Sequence, residues 1–375
     1  MTAPSPLLDL DDAASVAAAD TEGAMRAAAL GGAQVRSVAE AVAEGMVDRL
    51  RELRPRSVVI VTSGGRAARA ASVLGAAIGP RYGLPVLSTS AVPPWVGPLD
   101  VVVVAGDDAG DPGLVDAADS ALRRGAELVV VARDEGPLGA AATRGSLLAP
   151  RVPVPDRQGF LRYLAAGLAV LGTLDAGRGA RIPDLVGLAD RLDAEAARNH
   201  PSAEVFHNPA KSLAVRMQGH RVLVAGDGPA TAAFAGHTAD MLLRTAGVTA
   251  AAADLADALA SAVVLSGAHA APPGYDPLFH DEELDGPLPV TPARVFVLAT
   301  AQSRNVTMRR IVALPDAELL STADGVDELG TGGREMTGRT PGGPDQGDRT
   351  EAEQLAVLAV RFEMAAVYLR LIGGR

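Results

Sequence analysis

The residues of this 375-residue chain best suited to chemistry sit in short turns, not in metal-type clusters. Thr62-Ser63-Gly64-Gly65-Arg66 places two hydroxyls, two glycines and a guanidinium in five positions. Glycine lets backbone amides approach an anion, and a helix starting just beyond adds unpaired N–H groups and a positive dipole end. That is the chemistry of a phosphate cradle, although a plain tight turn has the same composition. The turn Gly106-Asp107-Asp108-Ala109-Gly110-Asp111 carries three aspartates. They suit helix capping, and they compete with phosphate for the same helix end. A polar turn, Ala301-Gln302-Ser303-Arg304-Asn305, offers Arg304 as a cation for a developing oxyanion.

All six histidines lie between His200 and His280, and none forms the i, i+4 pair of a helical zinc site, so no metal is expected. The densest titratable run is His280-Asp281-Glu282-Glu283. It has the parts of a general base and a ring-opening acid, although a solvated acidic loop is the more common meaning of such a run. Lys211 is the only lysine, and Ala210-Lys211-Ser212 lacks the glycine of a Walker loop, which excludes a P-loop NTPase. Schiff-base chemistry would have to use Lys211. Gly226-x-Gly228 is a fragment of a dinucleotide fingerprint, and no cofactor is expected.

These turns need elements to hold them. Ser57–Val61 is a short β-branched run that predicts a buried strand, and a helix is expected over Ala67–Ile78. Further strands are expected at Pro85–Ser88, Leu99–Ala105 and Glu127–Ala132, with a helix over 113–124. The pattern recurs with strands at Arg221–Ala225 and Arg294–Thr300 and a helix over Ala230–Ala246. Strands alternating with helices predict an α/β fold, each half a mostly parallel sheet covered on both faces. The boundaries read as an N-terminal helical segment (1–50), a first domain (51–175) and a second (176–375). Within the second, 266–290 reads as an insertion and 330–348 as a mobile loop. The capping box Thr350-Glu351-Ala352-Glu353 opens a packed or interfacial helix over 350–371.

Apolar residues make up 48% of the chain, enough for packed cores. The net charge of −11 disfavours nucleic acid and anionic membranes as partners. The absence of cysteine excludes disulfides, thiolate catalysis and iron–sulfur clusters. The acidic start without a basic stretch and apolar run gives no secretory signal, so a cytoplasmic protein is expected.

Asn208-Pro209-Ala210-Lys211-Ser212-Leu213-Ala214 with Gly219, and Pro155–Leu164 at the junction of the halves, carry a family resemblance. With the duplicated layout they resemble the bifunctional phosphoglucose/phosphomannose isomerases, built from two sugar-isomerase (SIS) domains, and among these the actinobacterial TobH-like branch. The resemblance implies two flavodoxin-like three-layer sandwiches and a homodimer binding a phosphorylated sugar between the domains near the subunit interface. It matches the first phosphate turn to Ser63-Gly64-Gly65. It matches the second, normally rich in hydroxyls, to Gly106–Asp111, where every hydroxyl has gone. Of the family's catalytic E-N-x-K motif only Asp240 remains, while the H-N histidine and a C-terminal lysine have no counterpart.

Aldose–ketose isomerisation moves one proton between C1 and C2 through an enediol and needs a base, a ring-opening acid and fixed donors for phosphate. Ranked by chemistry, Glu282 or Asp240 is the expected base and His280 the ring-opening group. Arg304 is expected to stabilise the enediolate. Thr62, Ser63, Gly64, Gly65, Arg66 and Gly106 form the expected phosphate site. A non-catalytic SIS module that binds a phosphosugar or a partner enzyme is the rival expectation.

Overall fold

The computed structural model describes residues 8–175, 181–267, 284, 291–314, 316–322 and 349–373. Two parallel sheets form its frame. The first contains β1 (Ser57–Thr62), β2 (Val86–Thr89), β3 (Asp100–Ala105), β4 (Glu127–Val131) and β5 (Ser146–Leu147), in the order β2-β1-β3-β4-β5. The second contains β6 (Arg221–Gly226), β7 (Ala250–Asp254), β8 (Ala293–Leu298) and β9 (Ala317–Leu320), in the order β7-β6-β8-β9. The second repeats the order of the first without its last strand.

β1 and β3 are buried along their whole length, as strands covered on both faces must be. Alternate residues divide between two cores. Val58 and Ile60 face the Gly65–Ile78 and Phe160–Leu174 helices, while Val59 and Val61 face the Pro112–Arg123 and Gly136–Ala142 helices. In the second sheet Val222, Val224, Phe296 and Leu298 belong to the same large core as Val58 and Ile60. The two halves therefore share one interior.

That interior is built around the terminal helix Glu351–Ile372, whose start matches the expected capping box: Thr350 Oγ1 accepts from the Glu353 amide at 3.3 Å. The helix is not a one-faced amphipathic helix. Almost every residue from Ala352 to Leu369 is buried, polar ones included, because helices from both halves surround it. Glu195 and Arg361 pair within it at 2.7 Å. Burial pushes Glu195 up, but Arg361, Arg198 and the Asn199 amide outweigh it and hold the carboxyl below its usual range.

The N-terminal segment forms the helices Ala13–Ala19, Ala24–Ala29 and Gly31–Ala43, the last packed on Leu185–Arg198. Lys211 secures this arrangement. Its fully buried ammonium donates to the carbonyls of Leu10, Pro201 and Ala203 at 2.5, 2.7 and 2.7 Å. It is a structural tie and not a Schiff-base lysine. The expected insertion, apart from the end of the Ala262–Gly267 helix and residue 284, and the whole of 330–348 lie outside the described residues.

Candidate functional site

In the order β2-β1-β3-β4-β5 the strand order reverses between β1 and β3, and the turns beyond their carboxyl ends flank a crevice suited to ligands. Ser63, Gly64 and Gly65 form one turn and are exposed. Gly64 and Gly65 have φ of 121° and 60°, in the region that favours glycine, and a Cβ built on either meets nothing within 4 Å. The Gly65–Ile78 helix starts here, and no side chain caps its first amides at Gly64. Thr62 is the last residue of β1, paired with Ala105 and buried, so its hydroxyl belongs to the sheet and not to the exposed turn. Gly106 is also a packing position, since a Cβ there would lie 2.4 Å from a Leu114 methyl.

The opposite turn supplies an acid. Asp107 pairs with Arg66 and, at 3.1 Å, with Arg162. It also accepts from the Tyr163 hydroxyl at 2.6 Å. Burial pushes the Tyr163 phenol up, which keeps it a donor. Asp107 thus takes the guanidinium that the sequence assigns to phosphate, while the amide turn beside it stays open.

From this corner a polar seam runs between the halves. Arg69, one helical turn from Arg66, donates to Asp240 at 2.7 Å, and Arg244 stands 3.9 Å from the same carboxylate. Arg69 lies against Gly236, where a Cβ would come within 2.6 Å of its guanidinium. Deeper lie two titratable groups. His237 is fully buried and stacked on Phe160 at 3.7 Å, with neither ring nitrogen hydrogen-bonded among the described residues. Burial, and then the charges of Arg244, Arg69 and Arg66, hold it well below its ordinary pKa. Glu363, on the terminal helix, has both carboxyl oxygens buried without a described partner. Burial drives it well above the usual carboxylate range, opposed by Arg244.

Asp240 is therefore tied, through Arg69, to the helix that starts at the Ser63 turn. Arg304 is not near that turn. It opens the Arg304–Ile311 helix beyond β8, in the corner of the second sheet. The adjoining Thr300 and Gln302 line a cavity with Ala77, Ile78 and Arg81, at the far end of the Gly65–Ile78 helix. Fourteen residues at about 1.5 Å each separate the two ends by roughly 20 Å. An enediolate held near Ser63 is thus out of reach of Arg304. His280 and Glu282 lie outside the described residues. Among the described residues no cluster of three His, Asp or Glu side chains could hold a metal. Glu363 escapes a sequence reading because it stands in an apolar helical run, where its environment is set entirely by other elements.

Two parallel sheets of matching order, flanked by helices and sharing a core, are also found in solved proteins of known fold. The chain has the fold of proteins built from two SIS domains. It superimposes on a hypothetical protein of Thermus thermophilus with a TM-score of 0.62, at 14% identity over 96% of this chain and 89% of that one. For tagatose-6-phosphate ketose/aldose isomerase of Escherichia coli the TM-score is 0.57, at 14% identity over 95% and 93%. For the C-terminal domain of glucosamine-fructose-6-phosphate aminotransferase of Francisella tularensis it is 0.57, at 11% identity over 94% and 97%. No protein-family model and no curated protein matches the sequence. No helix among the described residues is long and apolar enough to cross a membrane.

Proposed function

We propose that the protein binds a phosphorylated sugar in the seam between its halves and interconverts the aldose and ketose forms, with glucose or mannose 6-phosphate and fructose 6-phosphate as substrates. The observation that supports this most is the glycine turn Ser63–Gly65, with open space beside both glycines, at the start of the helix whose Arg69 pairs with Asp240 of the other half. The Ser63 hydroxyl and the Gly64 and Gly65 amides hold the phosphate, with Arg66 released from Asp107 to join them. Asp240 takes the proton from C2 of the aldose and returns it to C1, and the O2 proton passes to O1 as the enediol forms and collapses, while Arg69 and Arg244 stabilise the enediolate charge. The reading includes a cytoplasmic homodimer of the bifunctional phosphoglucose/phosphomannose isomerase type.

A second reading, a phosphosugar-binding module without turnover, is favoured by the ion pairs themselves. Asp107 occupies Arg66 and Arg162, and Asp240 is engaged by two guanidiniums. A coupled assay converting fructose 6-phosphate to glucose or mannose 6-phosphate separates the two. Turnover abolished by Asp240→Asn supports the isomerase. A thermal shift with fructose 6-phosphate, lost in Ser63→Ala/Arg66→Ala but unaccompanied by turnover, supports the module. No shift and no turnover would exclude both.

A further inference from the structure

We propose that the second half carries its own anion site, for a phosphomonoester, in the cavity beyond the carboxyl end of β8. The inference is independent of the reading of the Ser63 corner. The order β7-β6-β8-β9 places the second sheet's reversal between β6 and β8, and Thr300 lies just past β8. The two halves pack through Gly65–Ile78 and Pro229–Ala246 in opposite directions. Arg69, near the start of the first helix, meets Asp240, near the end of the second, while Ala77 and Ile78 close on the turn after β8. Each corner thus faces the far end of the other half's helix, and the cavity is the counterpart of the Ser63 corner.

The two corners differ in charge. At the first, Arg66 and Arg69 are tied to Asp107 and Asp240. The second is lined by Arg81, Arg181 and Arg349 from three separate segments, by the hydroxyl residues Thr300 and Thr350, and by one acid, Glu351. Among the described residues neither Arg81 nor Arg349 lies within ion-pair distance of a carboxylate, and the charge of Arg81 acts on Glu351 from a greater distance. The 22-residue terminal helix begins at Glu351, so its positive dipole end opens on the same space. The guanidiniums of Arg81 and Arg349, with Arg181 beside them, and a helix N-terminus converge on one cavity and match the charge and the acceptor-rich oxygens of phosphate, while the Thr350 hydroxyl is spent on Glu353. The cavity, about 140 Å³, is well below the roughly 300–1,000 Å³ of pockets that enclose drug-sized ligands. Its occupant is a small anion or the phosphorylated end of a longer molecule.

Isothermal titration of the full chain with inorganic phosphate tests this. The expected result is saturable binding, weakened about tenfold or more in Arg81→Ala/Arg349→Ala and retained in Ser63→Ala/Arg66→Ala. The Arg349 carbonyl, and not its side chain, accepts from Gln302 and Gln354, so the first variant keeps those hydrogen bonds; its melting temperature checks the fold. The deciding comparison is made in the Ser63→Ala/Arg66→Ala background, where phosphate binding that the added Arg81→Ala/Arg349→Ala leaves unweakened overturns the proposal. No phosphate binding at millimolar concentration to the wild-type chain overturns it as well. Loss of fructose 6-phosphate binding in the Ser63 variant alone would bear on the first corner and leave this site standing.

Discussion

Asp107 holds Arg66 across the crevice of the first sheet, joining the turn after β3 to the helix that follows β1. The same carboxylate receives Arg162 and the Tyr163 hydroxyl, so it already fills the role of an anion at this corner. Asp107→Asn keeps the shape and removes the charge. It should raise affinity for fructose 6-phosphate about tenfold, because a freed guanidinium gains a charged acceptor worth about 1.5–3 kcal/mol. Titration calorimetry measures this, and unchanged affinity would show that Asp107 does not compete with the ligand.

Asp240 pairs with Arg69 across the seam. If Asp240 moves the proton, Asp240→Asn should lower kcat by about 10²–10⁴-fold with a much smaller change in KM. A change confined to KM would assign Asp240 to positioning. Steady-state kinetics with fructose 6-phosphate distinguishes the two.

Glu363 and His237 make opposite contributions to the pH dependence of stability. Burial raises Glu363, so as pH climbs past the ordinary carboxylate range the unfolded chain releases a proton that the native chain keeps, and stability falls. Glu363→Gln removes this loss, and its advantage over wild type should grow from pH 5 to pH 8 by at most about 1.4 kcal/mol per pH unit. Burial lowers His237, so the unfolded chain gains a proton below about pH 6.5 that the native chain does not take up, and stability falls toward acid. His237→Leu should flatten that acid limb. Urea unfolding across the pH range checks both, and a wild-type profile that neither variant alters would contradict these directions.

The Glu195–Arg361 pair is buried in the shared interior, with side chains 3% and 4% exposed. Arg361→Met leaves the carboxylate only Arg198 and the Asn199 amide and should cost up to about 3–5 kcal/mol, whereas Glu195→Leu/Arg361→Met together should recover most of that loss. Burial also makes the wild-type contribution insensitive to salt. Denaturant unfolding of the three proteins at low and high salt measures each part.

Much of the frame is legible in the sequence. β1, β3, β4, β6 and β8 are β-branched or apolar runs ended by turn residues, and each lies within one or two residues of its expected bounds. β7 is not legible, because Ala250–Ala253 has little strand propensity and is held extended by pairing with β6. The Ser63–Arg66 turn is legible from its glycines, but the engagement of Arg66 is not, because its partner lies 41 residues away. The terminal helix is legible as a helix, yet its apolar spacing suggests one buried face, and only its position between the halves buries Glu363 and Arg361 too.

The order of residues by itself determined the alternating strands and helices, the glycine turn with its positive φ, and the exclusion of cysteine chemistry. These depend on local backbone preference and side-chain type, which neighbours in the chain specify. Which charges neutralise one another was decided only by the tertiary structure. Arg69 meets Asp240 from 171 residues away, and Coulomb attraction and burial act through space without regard to position along the chain. That is why two corners of similar origin differ, one closed on its own ion pairs and the other presenting Arg81 and Arg349.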